Sequence, residues 1–130
     1  MRNGKDVAII ACGALVYDSL VAAEELSEEG LDVMVVNSPT IKPLDEEIIL
    51  FAAKECGAVV SAEEHQVTGG LGGAVSEYLS KVYPTIMEFI GIQNKFGESG
   101  TDKELMAHFG MDIPSIKKKI KKVHDKKKRG

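Results

Sequence analysis

The chain has 130 residues, of which 44% are hydrophobic and 28% charged, the size and balance of one domain around one packed core. No apolar run approaches the ~18–20 residues that span a bilayer, and the apolar run Val7 to Ala11 behind Met1–Asp6 is too short for a signal-peptide core, so a cytoplasmic location without membrane contact is expected. The net charge of −4 conceals a split. Residues 1–116 carry seven basic and nineteen acidic side chains, net −12, and residues 117–130 carry nine basic ones and Asp125, net +8. The spacing of Cys12 and Cys56 suits neither a redox pair nor a zinc site, and both are expected as buried thiols.

The apolar pattern switches between two periods along the chain. Val7–Ala11 is a continuous apolar run, as expected for a strand covered on both faces, and Gly13 ends it. Val16, Leu20, Ala23 and Leu26 recur at helical spacing up to Glu29, and Gly30 reads as a left-handed cap. Val33–Val36 is a second strand, broken by Asn37-Ser38-Pro39. Asp45 looks like the N-cap of a helix with Glu46 and Glu47 in its first turn and Ile48, Ile49, Ala52 and Ala53 on one face. Gly57 ends that helix and Ala58–Ser61 is a third strand. Beyond the glycine-rich segment, Ala74, Val75, Tyr78, Leu79 and Val82 share a helical face, and Thr85–Ile90 reads as a fourth strand. Thr101-Asp102-Lys103-Glu104 is a capping box opening a helix that stops at Gly110. Asp112 caps a last helix with Ile113, Ile116, Ile120 and Val123 on one side. Strands alternate with crossover-length helices, which predicts a three-layer α/β/α domain with a mostly parallel sheet. The domain is expected over 1–116, and 117–130 is the lysine-rich end of the last helix and tail.

Each motif that could carry chemistry has a plainer reading beside it. Gly69-Gly70-Leu71-Gly72-Gly73, between a strand and a helix, could present free amides to an anion. Yet no lysine follows Gly73 as in a P-loop, and the spacing misses the third glycine of a dinucleotide fingerprint. Tight turning and close packing at a subunit interface weigh more. Glu63 and Glu64 on a strand would face opposite ways and not share a substrate atom. His65 has no second histidine at ligand spacing. A polar cluster that orders the following loop accounts for all three. Ser61, Ser76 and Ser99 lack a nucleophile context, and Ser19 is an ordinary early-turn residue. The lysines from Lys117 onward lack interleaved aromatics for stacking on bases, which favours a docked amphipathic helix with a solvated basic face over a nucleic-acid or acidic partner. On that reading, loss of Lys126–Gly130 should leave the thermal midpoint nearly unchanged.

Four segments in order resemble one family. Asp6-Val7-Ala8-Ile9-Ile10-Ala11-Cys12-Gly13 is similar to the opening strand and turn of the transketolase C-terminal domain, and Ile41-Lys42-Pro43-Leu44-Asp45-Glu46-Glu47 to the approach to its second helix. Glu63-Glu64-His65 with Gly69–Val75 resembles its E-E-H…G-G-L-G-x-A-V segment, and Ile90-Gly91-Ile92 with Phe96–Gly100 its I-G-I…F-G-x-S-G segment. The resemblance runs from about Asp6 to about Val123 and favours transketolase, notably its two-chain forms, with 1-deoxyxylulose-5-phosphate synthase second. It implies a mixed sheet of about five strands, one of them antiparallel. It also implies an enzyme whose thiamine diphosphate and Mg²⁺ lie in pyrophosphate- and pyrimidine-binding domains outside this chain, across a homodimer interface. No catalytic, cofactor or metal residue is therefore expected here, and Glu64, His65, Gly69, Gly70, Leu71, Gly72 and Gly73 are expected as an interface or anion loop.

Overall fold

The computed structural model describes residues 2–13, 15–38, 44–66, 70–93 and 112–129, without the side chains of 64–66 and 92–93. The elements are β1 (Val7–Ala11), α1 (Leu15–Glu28), β2 (Val33–Asn37), α2 (Glu46–Cys56), β3 (Ala58–Gln66), α3 (Leu71–Val82), β4 (Ile86–Gln93) and α4 (Ile113–Arg129). The capping box at 101–104, the helix expected to end at Gly110, and Phe96–Gly100 lie outside the described residues.

The sheet runs β2-β1-β3-β4, every pairing parallel. Among the described residues there are four strands where about five were expected. Among these residues the antiparallel pairing is a single bridge between Arg2 and Val35 on the outer edge of β2. Strand alternation sorts the core into two layers. Val7, Ile9, Val33, Val35, Val60 and Ile90 pack with α1 and with Ile116, Ile120 and Val123 of α4. Ala8, Ile10, Met34, Val36 and Val59 pack with α2 and α3. This is the three-layer sandwich the sequence predicts, and β1, buried at all five positions, is its centre.

The expected caps form. Asp45 accepts the Ile48 amide at 3.4 Å and Asp112 that of Ser115 at 3.1 Å. Gly30 and Gly57 adopt φ of +89° and +72° behind α1 and α2, a conformation in which a side chain is strained. Three boundaries differ. β3 continues five residues beyond Ser61, through an irregularity between Ala62 and His65. β4 runs from Ile86 to Gln93 rather than from Thr85 to Ile90. α3 starts at Leu71, so Gly72 and Gly73 are its first-turn residues and not loop. Cys56 is buried, its thiol pushed up to about 11 by desolvation, but Cys12 is only half-buried.

The lysine-rich end belongs to the fold. α4 is one helix across residue 116, and its lysines meet the acidic body. Lys117 pairs with Glu25 and Glu29, each at 3.1 Å, and Lys121 with Glu29 at 2.6 Å. Lys119, Lys122 and Lys126 converge on Glu88 of β4. Burial alone would raise the Glu88 carboxyl, but the hydrogen bond from Lys126 and the charges of Lys122 and Lys119 outweigh it and hold the group below the ordinary carboxylate value. Lys127 donates to the carbonyls of Asp6 at 2.6 Å and Cys56 at 2.9 Å, closing the C-terminal end of α2 with a cation, as its dipole favours. The charge split is thus largely satisfied within the molecule. It also corrects the tail expectation: removing Lys126–Gly130 deletes the Lys127 bonds and one Glu88 partner, and is expected to cost about 1 kcal/mol, read as a lowered midpoint in thermal unfolding.

Candidate functional site

The sequence-predicted site gathers where β3 ends and α3 begins. Gly70 precedes the helix in an extended conformation (φ −68°, ψ −174°) and offers no side-chain cap, so the first amides of α3 need another acceptor. Glu63 supplies it from the neighbouring strand. Its side chain, 3% exposed, accepts from the Leu71 amide at 3.2 Å through Oε1 and from the Gly72 amide at 2.7 Å through Oε2. A carboxylate at a helix N-terminus is stabilised by charge-assisted hydrogen bonds and by the dipole. The carboxylate thereby ties β3 to the start of α3.

This geometry bears on the anion reading. The two leading amides of α3 already hold an internal anion. A phosphate or diphosphate arriving there would have to displace a buried carboxylate or sit beside its negative charge, so the described residues do not fit the diphosphate of thiamine diphosphate. No group of three or more His, Cys, Asp or Glu among the described residues is placed to hold a metal ion.

Behind the carboxylate the packing is tight. Gly72 is buried, and a Cβ built on it would stand 2.8 Å from Phe89 Cδ1 and 2.8 Å from Ser61 Oγ. β4, β3 and α3 therefore meet at a position where only hydrogen fits. Gly73, one residue on, is exposed, and a Cβ placed there would meet none of the described residues within 4 Å. Around this corner the surface carries Phe89, 41% exposed, and farther along α3 and β4 the exposed Val82, Tyr83 and Ile86.

The structure thus brings Gly70, Leu71, Gly72 and Gly73 together at the start of α3. Glu64 and His65 are in β3, His65 opposite Ile92, and their side chains, like Gly69, lie outside the described residues. Glu63 bonds the first two amides of α3. Phe89 and Ser61 were not legible as neighbours of Gly72, because their part depends on the β3–β4 pairing. Ser19, read as an early-turn residue, is buried in α1, and its hydroxyl has no hydrogen-bond partner among the described residues. No helix of the described residues is long and apolar enough to cross a membrane.

Comparison with known proteins agrees with this fold. Residues 1–116 match the family described as transketolase, C-terminal domain. The chain is 40% identical over 127 residues to the 6-deoxy-6-sulfo-D-fructose transketolase subunit SqwH of a Clostridium species, covering 98% of this chain and 39% of that protein. It is 37% identical to 1-deoxy-D-xylulose-5-phosphate synthase 1 of Geobacter metallireducens over 93% of this chain and 20% of the synthase. A solved split-gene transketolase, described as an inactive β4 tetramer, superposes with a TM-score of 0.89 at 40% identity, over 95% of this chain and 41% of that one. The chain spans about two fifths or less of each of these relatives. The family match and the superposition agree on one assignment: the chain belongs to the transketolase C-terminal domain family.

Proposed function

We propose that this chain serves as the non-catalytic C-terminal domain of a thiamine-diphosphate-dependent transketolase, packing against the pyrimidine-binding domain and the partner protomer of a cytoplasmic homodimer so that the cofactor cleft is held in place. The complete enzyme would transfer a two-carbon ketol unit between sugar phosphates, with thiamine diphosphate and Mg²⁺ supplied by the pyrophosphate- and pyrimidine-binding domains. The observation that carries this reading is the near end-to-end superposition on a split-gene transketolase of which the chain covers 41%, so that most of such an enzyme lies in the other domains. Glu63 adds to it, because the leading amides of α3 are filled from within. That favours packing at this corner over a regulatory small-anion site. The match to 1-deoxyxylulose-5-phosphate synthase supports a second reading, the equivalent domain of that enzyme.

Calorimetry of the purified chain with thiamine diphosphate and Mg²⁺ is expected to show no binding. Mixing the chain with a transketolase lacking its C-terminal domain is expected to restore turnover of xylulose 5-phosphate. Micromolar cofactor binding by the chain alone would overturn the proposal. Restoration of the synthase but not of the transketolase would select the second reading.

A further inference from the structure

On the outer edge of the sheet one residue of the N-terminal segment, Arg2, pairs with β2. β2 turns the polar groups of Val33, Val35 and Asn37 away from β1, because peptide directions alternate along a strand. Arg2 occupies the centre of that edge. Its amide donates to the Val35 carbonyl at 3.0 Å, and its carbonyl accepts the Val35 amide at 2.9 Å. Its guanidinium donates to the Val33 carbonyl at 2.9 Å. Asp32 and Glu24 hold the guanidinium, each at 3.7 Å. The following residues are fastened too. A Cβ on Gly4 would collide with the Val33–Met34 peptide. The Gly4 carbonyl accepts the Cys56 thiol at 3.5 Å, and Asp6 exchanges two bonds with Asp32, each at 2.8 Å.

We propose that Arg2 guards this edge, held in place by the fastening of Gly4 and Asp6, and that the strand beneath is a self-pairing surface whose occupant, when Arg2 lifts, is β2 of a second copy of this chain. The geometry favours a copy over another partner. Arg2 and Val35 form the hydrogen-bonded type of antiparallel pair, in which two residues exchange both bonds. A two-fold axis at Val35 would let the same residue of a second copy replace Arg2 bond for bond. It would also place Val33 opposite Asn37 on either side, extending the ladder from one pair to three. Such a contact is isologous, the same patch on both subunits. Val33-Met34-Val35-Val36 has high strand propensity and carries no lysine, proline or charge, the devices by which sheet edges ordinarily resist pairing. Protection falls to the strap instead.

The test uses variants of the 130-residue chain that leave the core untouched. Arg2→Pro removes the amide donor and the guanidinium, and Arg2→Ala removes the guanidinium alone. Amide hydrogen exchange at Val35 and sedimentation over a concentration series are the two readouts, with the inward amides of Met34 and Val36 as controls. Exchange at Val35 in dilute protein is expected to rise in the order wild type, Arg2→Ala, Arg2→Pro, at least tenfold for Arg2→Pro. Self-association should strengthen in the same order, with Val35 protected again in the dimer. If Arg2→Pro does not fold, Arg2→Ala must still move both readouts. Unchanged exchange at Val35 would overturn the guard, and faster exchange without added association would overturn the self-pairing surface.

Discussion

Replacing Glu63 by alanine is expected to lower stability by about 3 kcal/mol, since removing a buried acceptor leaves two donors unpaired and each lost charge-assisted bond costs roughly 1.5–3 kcal/mol. The Leu71 and Gly72 amides would face the space left by the carboxylate with no side-chain cap at Gly70 to replace it. Glu63→Gln keeps one acceptor oxygen but loses the charge and cannot accept from both amides through its nitrogen, so a loss of about half that size is expected. Urea unfolding of the three proteins measures this, with the slope unchanged and the midpoint moved. A Glu63→Ala midpoint within error of wild type would show that the carboxylate does not hold the start of α3. Because the damage is local, amide exchange in α3 should rise before that in β1, the buried centre of the sheet.

The parts of this fold legible in the sequence are those written in local pattern. β1 and β2 are continuous apolar runs because both faces are covered, and the caps at Asp45, Asp112, Gly30 and Gly57 are local chemistry. The end of β3 is different. Glu63-Glu64-His65-Gln66 is polar and looks like loop, and it stays extended because β4 pairs with it as far as Gln66↔Gln93. That partner is nearly thirty residues away in sequence. The start of α3 is hidden for a related reason. Two glycines in a first turn oppose helix propensity by roughly 1 kcal/mol each. They are helical because Glu63 caps the amides and because Phe89 and Ser61 leave no room for a larger residue at Gly72. The basic tail is the docked amphipathic helix its spacing predicts, with Ile116, Ile120 and Val123 buried and Lys118, Lys121, Lys122, Lys126 and Lys128 exposed. Its ion pairs were not legible: Lys117 and Lys121 meet Glu25 and Glu29 at the end of α1, and Lys119, Lys122 and Lys126 meet Glu88 of β4. A spacing rule cannot show which acidic residues a helix will meet.

Gly72→Val is expected to destabilise the domain by roughly 3 kcal/mol, the upper part of the range for overpacking a tight core. As a probe of assembly at this corner the substitution requires a negative φ at Gly72. Gly72 is not among the positive-φ glycines, so the backbone would accept valine, but the neighbours would not. The new Cβ would stand 2.8 Å from both the Phe89 ring and the Ser61 hydroxyl. The variant must push β4 or α3 outward, which loads the same amides that Glu63 holds. It therefore tests folding before it tests assembly. Gly73 is the cleaner probe. It is exposed, its φ is not positive and a Cβ there meets none of the described residues within 4 Å. Gly73→Ala should stabilise the helix by about 0.5–1 kcal/mol, since glycine loses more backbone entropy on folding. Gly73→Arg should fold as well as wild type while projecting bulk from the corner beside Phe89. If that corner packs against the rest of a transketolase, Gly73→Arg will restore activity to an enzyme lacking its C-terminal domain at least tenfold less well than Gly73→Ala at equal concentration. Equal restoration by the two variants would remove this corner from the interface, and a Gly72→Val protein as stable as wild type would refute the packing described around Phe89.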